Sequence, residues 1–441
     1  MKIHLKGGRL ISPGNATGGA AQQTSDLFIA DGRIVGIGTA PADFTATRSF
    51  DATGLVVAPG LVDLAARLRG PGYGCAATFE SEMAAALAGG VTTVVCPPDT
   101  DTDTLLDKSG LVDTLMLRLR NLKQARVLPL GALTVGLKGE HLTEMVELTR
   151  AGCIGFSQAD VPILDTQVLL RALQYATTYG YTVWLRAQDP YLARGGVVAS
   201  GPVASRLGLA GIPASAETIA LHTILELVRA TGARVHLPHL SSASGLALVR
   251  AAKREGLPVT CDITINHLHL IDADIGYFDA KYRLDPPLRT QRDRDAIRAG
   301  LLDGTIDAIC SDHNPVADNE KLLPFGEASP GATGLELLLS LTVKWAQEMR
   351  IPLPQALAKV TCEPAAVLGL TWRGIEIGVP ADLCVFDPQA YWSVDAAALR
   401  SQGHNTPFLG YEVPARVCAT LVAGRLAFER ADHKNFKPDT P

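Results

Sequence analysis

The sequence carries no excess of positive charge. Its 40 Lys and Arg against 45 Asp and Glu give a formal net charge of -5 over 441 residues. Nucleic acid and anionic membranes both call for a basic patch, so neither is an expected partner. Paired cysteines are missing too. Cys75, Cys96, Cys153, Cys261, Cys310, Cys362, Cys384 and Cys418 stand singly, without the Cys-x-x-Cys spacing of a zinc knuckle or redox centre. In runs such as Val94-Val95-Cys96 they read as small buried hydrophobes. No apolar run approaches the ~20 residues of a membrane span, and Met1 to Gly8 lacks the apolar core of a signal peptide. A reduced, bacterial-type cytoplasm is therefore the expected location. No glycine fingerprint for a dinucleotide or P-loop occurs either.

What is present is ordinary for a soluble globular protein: 47% hydrophobic and 19% charged residues, in a chain long enough for one large core or two domains. Short β signals occupy both ends. Leu27 to Ile37 places Asp31-Gly32 between two apolar runs, the chemistry of a type I′ hairpin. Ala381 to Asp387 and Ala419 to Phe428 repeat the pattern, so 1–57 and 370–441 are expected to form one small β domain. Ser12 to Ser25, Gly-rich and polar, reads as a surface loop.

Between the ends, strand-like runs alternate with amphipathic segments, which argues for a parallel α/β sheet. Eight strand candidates run Gly60–Leu68, Val91–Pro97, Arg126–Thr134, Cys153–Ser157, Thr182–Arg186, Arg234–Leu240, Pro258–Thr264 and Asp307–Ser311. Helical runs Phe79–Ala88, Ala216–Ala230 and Ser244–Glu255 fit the connections. Eight such units over 58–369 predict a TIM (β/α)8 barrel, with a doubly wound open sheet as the alternative. Reactive groups of a barrel sit at the C-terminal strand ends. That directs attention to Asp63, Arg67, Arg69, Asp99, Gln158, Asp160, Arg186, Gln188, His236, His239, Asp262, Asn266, Asp312 and His313. His236 reads as a strand residue facing the helices, and His267 and His269 as two histidines on one face of a strand-like run.

The runs APGLVDLAARLR (58–69), GARVHLPHLSSASG (232–245), RLDPPLRTQRDR (283–294) and IDAICSDHNP (306–315), in that order and spacing, resemble the dihydroorotases of the amidohydrolase superfamily. The resemblance covers nearly the whole chain. It implies that metal ligands once fell on Ala65, Arg67, Gln158, Arg186, His239 and Asp312. An alanine methyl has no lone pair, a guanidinium repels a cation, and a neutral amide is a poor bridge. Only His239 and Asp312 keep donor chemistry, fewer than the about three protein ligands of a catalytic zinc. No cofactor and no metal are therefore expected. Without metal, water keeps a pKa near ~15.7, leaving Asp312 no acidic water to deprotonate. Arg67 and Arg186 could instead put positive charge where the cation would sit, with Asp63 or Asp312 as counter-charge.

The resemblance also implies substrate-like anion binding at Arg69, Asp99 and Asn266, although Asp99 stands where the family has Asn and would repel an anion. What it implies for function is a non-catalytic dihydroorotase-like subunit that supports aspartate carbamoyltransferase assembly and activity. The expected partners are that enzyme's catalytic chain and further copies of this one. The alternative is an active dihydroorotase or related cyclic-amide hydrolase with an unusual site.

Overall fold

Residues 2–14, 23–69, 77–100, 104–122, 124–431 and 436–438 are described by the computed structural model. Cys75 and most of the Ser12–Ser25 stretch lie outside them. The eight expected barrel strands all form, and pair in chain order into one parallel sheet: Leu61–Asp63, Val91–Cys96, Arg126–Ala132, Gly155–Ser157, Thr182–Trp184, Arg234–Leu237, Val259–Thr264 and Ala308–Cys310. A parallel bridge between Ala66 and His313 draws the two edge strands together and nearly closes the barrel. Helices fall where the periodicity places them, at Phe79–Ala88, Ala214–Thr231 and Ala243–Glu255. Thr78, Ser242 and the glycines Gly232 and Gly256 mark their ends by capping.

Side-chain alternation along the strands sorts two cores. Val183, Val235, Leu237, Cys261 and Ile309 face outward into the helices. Val62, Leu64, Val95, Leu130, Trp184, Ala308 and Cys310 face inward and fill the barrel. His236 is level with Trp184 in the strand register and its ring lies 4.2 Å from that indole. It points into the barrel, not toward the helices as the sequence suggests. The cause is a hydrogen-bond demand: its two ring nitrogens reach Thr260 Oγ1 at 2.8 Å and Asp262 Oδ2 at 3.0 Å, both inside the barrel.

Both chain ends build a second, nine-stranded sheet. Its path runs Arg425–Glu429, Glu412–Val422, Leu383–Ser393, Val56–Pro59, Ile3–Leu10, Gln23–Ala30, Arg33–Ile37, with Arg48–Asp51 and Phe436–Pro438 off the side. The expected hairpin is present: Asp31 and Gly32 both take positive φ (49° and 81°) between the paired residues Ala30 and Arg33. The stretch between the last two long strands does not stay with this sheet. Phe408 enters the barrel's helix-side core, and Ser401 donates to the buried Glu82 carboxylate at 2.6 Å.

Candidate active-site cavity

Six of the eight strands end earlier in the structure than their apolar runs suggest, the fourth and seventh ending at Ser157 and Thr264 as expected, and the loops beyond them turn sharply. Arg69, Ala159, His239 and Asp312 all adopt left-handed backbone, with φ of 50°, 51°, 56° and 50°. Non-glycine residues are rare there, and such strain concentrates at functional sites. The loops thereby border a cleft of about 470 Å³, part of it open to solvent, whose wall includes Ala65, Arg67, Asp160, Trp184, His239 and Asp312.

An ion-pair lattice spans this wall. Arg67 and Arg186 expose only 11% and 7% of their side chains, so each guanidinium needs an anion. Asp160 serves both, at 2.6 Å from Arg67 and 2.9 Å from Arg186. Asp99 adds a second contact to Arg67 at 3.1 Å. Asp285 grips Arg186 with both oxygens, one of them at 2.9 Å, and Gln188 accepts a further bond from Arg186 at 2.6 Å. The two arginines hold the Asp160 carboxyl far below the usual range, and the carboxylates raise both guanidinium pKa values in return. The bonded counter-charges are therefore Asp160, Asp99 and Asp285; of the two expected from sequence, Asp312 acts on Arg67 without bonding it, and Asp63 does not pair with either arginine.

Asp63 is committed elsewhere. It accepts bonds from the backbone N–H of Ser311 at 2.8 Å and from the Ser311 hydroxyl, tying the first strand to the eighth. Asp312 stands 3.8 Å from His239 Nε2, and burial raises its carboxyl to about 6 despite the nearby cations.

The other anticipated positions are dispersed. Gln158 turns away from the cavity: its amide accepts from Thr134 and donates to the Leu137 carbonyl, both at 2.9 Å. Ala65 contributes wall, and its carbonyl accepts the His313 backbone N–H at 3.2 Å. Asp99 is an arginine partner. Arg69 is buried and bonds Asn314, while Asn266 is buried in a short helix; neither lines the cavity. The anion-binding trio of the sequence reading is thus not assembled on one wall. His267 and His269 sit on that same helix, Ile265–His269, not on a strand, because Thr264 caps it by accepting from the His267 N–H. Their rings separate, one reaching the Pro287 carbonyl at 3.2 Å and the other Leu341 at 2.9 Å, and burial lowers both to about 4.

The central residue, Asp160, appears among the strand-end polar residues but not among the chosen site positions; its separation from Gln158 by two residues was the only sequence signal. Asp285 lies in the Asp-Pro-Pro run and carries no local sign of its partner 99 residues away. A two-zinc centre does not fit this donor set. Two guanidinium groups stand on or beside this wall, and of its donor side chains Asp160 is paired with both of them and His313 with Glu82, which leaves His239 and Asp312.

The family profile described as Dihydro-orotase-like matches residues 54–244, and that of the Amidohydrolase family matches 211–428. A "Dihydroorotase-like protein" of Pseudomonas aeruginosa is 43% identical over 97% of this chain and all of the relative. A "Dihydroorotase" of Geobacter sp. (strain M21) is 37% identical at the same coverage. Among solved structures, the L-hydantoinase (dihydropyrimidinase) from Arthrobacter aurescens superposes with a TM-score of 0.82 at 24% identity, over 97% of this chain and 96% of that one. That likeness concerns the fold.

Proposed function

Since the chain belongs to the dihydroorotase-like family of the amidohydrolase superfamily, we propose that it is a non-catalytic member of pyrimidine biosynthesis, supporting the assembly and activity of aspartate carbamoyltransferase. The observation that carries the non-catalytic half is the Arg67–Asp160–Arg186 lattice. It fills with fixed, mutually neutralised charge the space in which a catalytic metal would polarise an amide and acidify water. No other pair on the cavity wall takes over both tasks: Asp312 is the remaining carboxylate base, and the guanidinium groups beside it are already paired.

The partner half rests on the family resemblance and on what is preserved. A nearly closed, well-packed barrel needs no active site to present a rigid surface, and fold and chemistry are separable. No helix among the described residues is long and apolar enough to cross a membrane. Zinc is absent from the proposed native state at the family position, and copies of the chain are proposed to associate.

The experiment is size-exclusion chromatography with light scattering on this chain mixed with the aspartate carbamoyltransferase chain of the same organism. One larger species containing both, with higher carbamoyltransferase activity than the enzyme alone, is expected. Separate peaks across salt and concentration would remove the scaffold role. The second reading, a cyclic-amide hydrolase, is favoured by the relatives named dihydroorotase. It predicts dihydroorotate turnover with added zinc; we expect none above background.

A further inference from the structure

Behind His239 of the cavity wall lies a second set of donors that is not hydrogen-bonded to the arginines of the ion-pair lattice. One ring nitrogen of His239, one carboxylate oxygen of Asp262 and the sulfur of Cys310 lie within 4.8 Å of one another. They come from three successive parts of the barrel: the loop after the sixth strand, the middle of the seventh and the end of the eighth. Asp262 and Cys310 are fully buried, and neither lines the cavity above. His239 exposes 9% of its side chain, and its Nε2 has no hydrogen-bond partner among the described residues. A buried nitrogen left in that state carries a desolvation cost that native proteins rarely leave unmet.

Asp262 already accepts from the His239 backbone N–H at 2.7 Å and pairs with the His236 ring at 3.0 Å, and no arginine or lysine among the described residues is bonded to it. Three carboxylates, Asp63, Asp262 and Asp312, bear on Cys310, and burial with their field holds its thiol well above the usual range. The Cys310 sulfur lies within donating reach of two acceptors, Asp262 Oδ1 at 3.6 Å and the Ile263 carbonyl at 3.4 Å. Imidazole, carboxylate and thiolate together are a set that suits a borderline-soft divalent ion. Bond lengths of about 2.0–2.3 Å place tetrahedral donors about 3.3–3.8 Å apart. The sulfur-to-carboxylate distance of 3.6 Å already has that value, and the histidine nitrogen lies within 4.8 Å of both atoms.

We propose that His239, Asp262 and Cys310 form a site for a single divalent ion of the zinc class, which shares only His239 with the metal positions that the family resemblance implies and adds the buried Asp262 and Cys310. On binding, the Cys310 S–H bond breaks, a sulfur–metal bond forms and one proton leaves to solvent. The ion would tie the loop after the sixth strand to the seventh and eighth strands, where the lattice joins the loops after the first, second, fourth and fifth.

The test uses the full chain, stripped with a chelator and titrated with Co2+ alone. One Co2+ per chain is expected, with thiolate-to-cobalt absorption in the near ultraviolet, release of about one proton and a raised melting temperature. Cys310→Ser should abolish the sulfur band and weaken binding more than about 100-fold, beyond the 10–100-fold typical of outer-shell losses. Cys96→Ser should change neither. Should Cys310→Ser fail to fold, His239→Gln is read the same way for affinity, and proton release by the unmodified protein stands independently. A wild-type protein that takes up no Co2+, or one whose Co2+ lacks the sulfur band, overturns the site. None of these readouts depends on the carbamoyltransferase or on turnover, so the failure of either proposal is separable.

Discussion

Replacing Asp160 by Asn removes the one anion shared by Arg67 and Arg186, and its cost can be bounded from the geometry. Unit charges ~4 Å apart attract by about 4 kcal/mol at an effective dielectric near 20. Two contacts, at 2.6 Å and 2.9 Å, thus represent a gross term of about 8 kcal/mol. Most of it is offset. The Asp160 side chain is 39% exposed, so solvent screens it, and the acid regains hydration when unpaired. Stranding a buried charge costs about 3–5 kcal/mol. Here neither arginine is stranded, because Asp99 still faces Arg67 and Asp285 still grips Arg186. The net loss expected for Asp160→Asn is about 2–3 kcal/mol, short of full stranding. Urea unfolding should show a lower midpoint at unchanged slope. In an Arg186→Met background the same change should cost about 1 kcal/mol less, since groups sharing one network couple. A loss below about 0.5 kcal/mol, the size of an ordinary surface change, would refute the claim that Asp160 holds the lattice together. A gain in stability would show the lattice to be a desolvation burden carried for another reason.

Asp312→Asn offers a pH test. A folded-state pKa of about 6 lies above the unfolded value near ~3.9, so the native protein binds more protons between those limits and loses stability as pH rises through them. The neutral amide tolerates the residue's φ of 50° and should be more stable than the parent at pH 8 by about 1–3 kcal/mol, with little difference at pH 4; equal urea midpoint differences at both pH values would count against it. Glu82 joins His313 at 2.6 Å to Ser401 at 2.6 Å, wholly inside the protein. Glu82→Ala should cost about 3–5 kcal/mol and loosen the 400–405 segment, read as faster tryptic cleavage after Arg400; unchanged cleavage would mean that other contacts hold it. The Glu82 carboxyl is kept below its usual range chiefly by His313, against the opposing effect of burial. Its stabilising contribution is present above the unfolded carboxylate pKa and should fade as pH falls through the folded one. Urea midpoints of Glu82→Gln and the parent should therefore converge toward low pH.

The sequence by itself determined the barrel, because its evidence is local and repeated. Eight apolar runs, helical periodicity between them, and caps such as Thr78, Ser242 and Gly256 each act within a few residues. The Asp31-Gly32 hairpin belongs to the same class, since positive φ is a property of the two residues themselves. That Ala65 and Arg67 cannot donate to a metal was likewise legible, because a methyl group and a guanidinium are unsuitable donors in any fold. Only tertiary structure decided which charges answer the arginines. Asp160 reaches Arg67 across 93 residues and Asp285 reaches Arg186 across 99, and no local pattern encodes partners brought together by barrel closure. It also decided the direction of His236, since period-two alternation gives two faces without saying which one is the interior. The same holds for Cys310: in sequence it is one more small hydrophobe at a strand end, and only the closing of the sheet sets its sulfur beside Asp262 and His239.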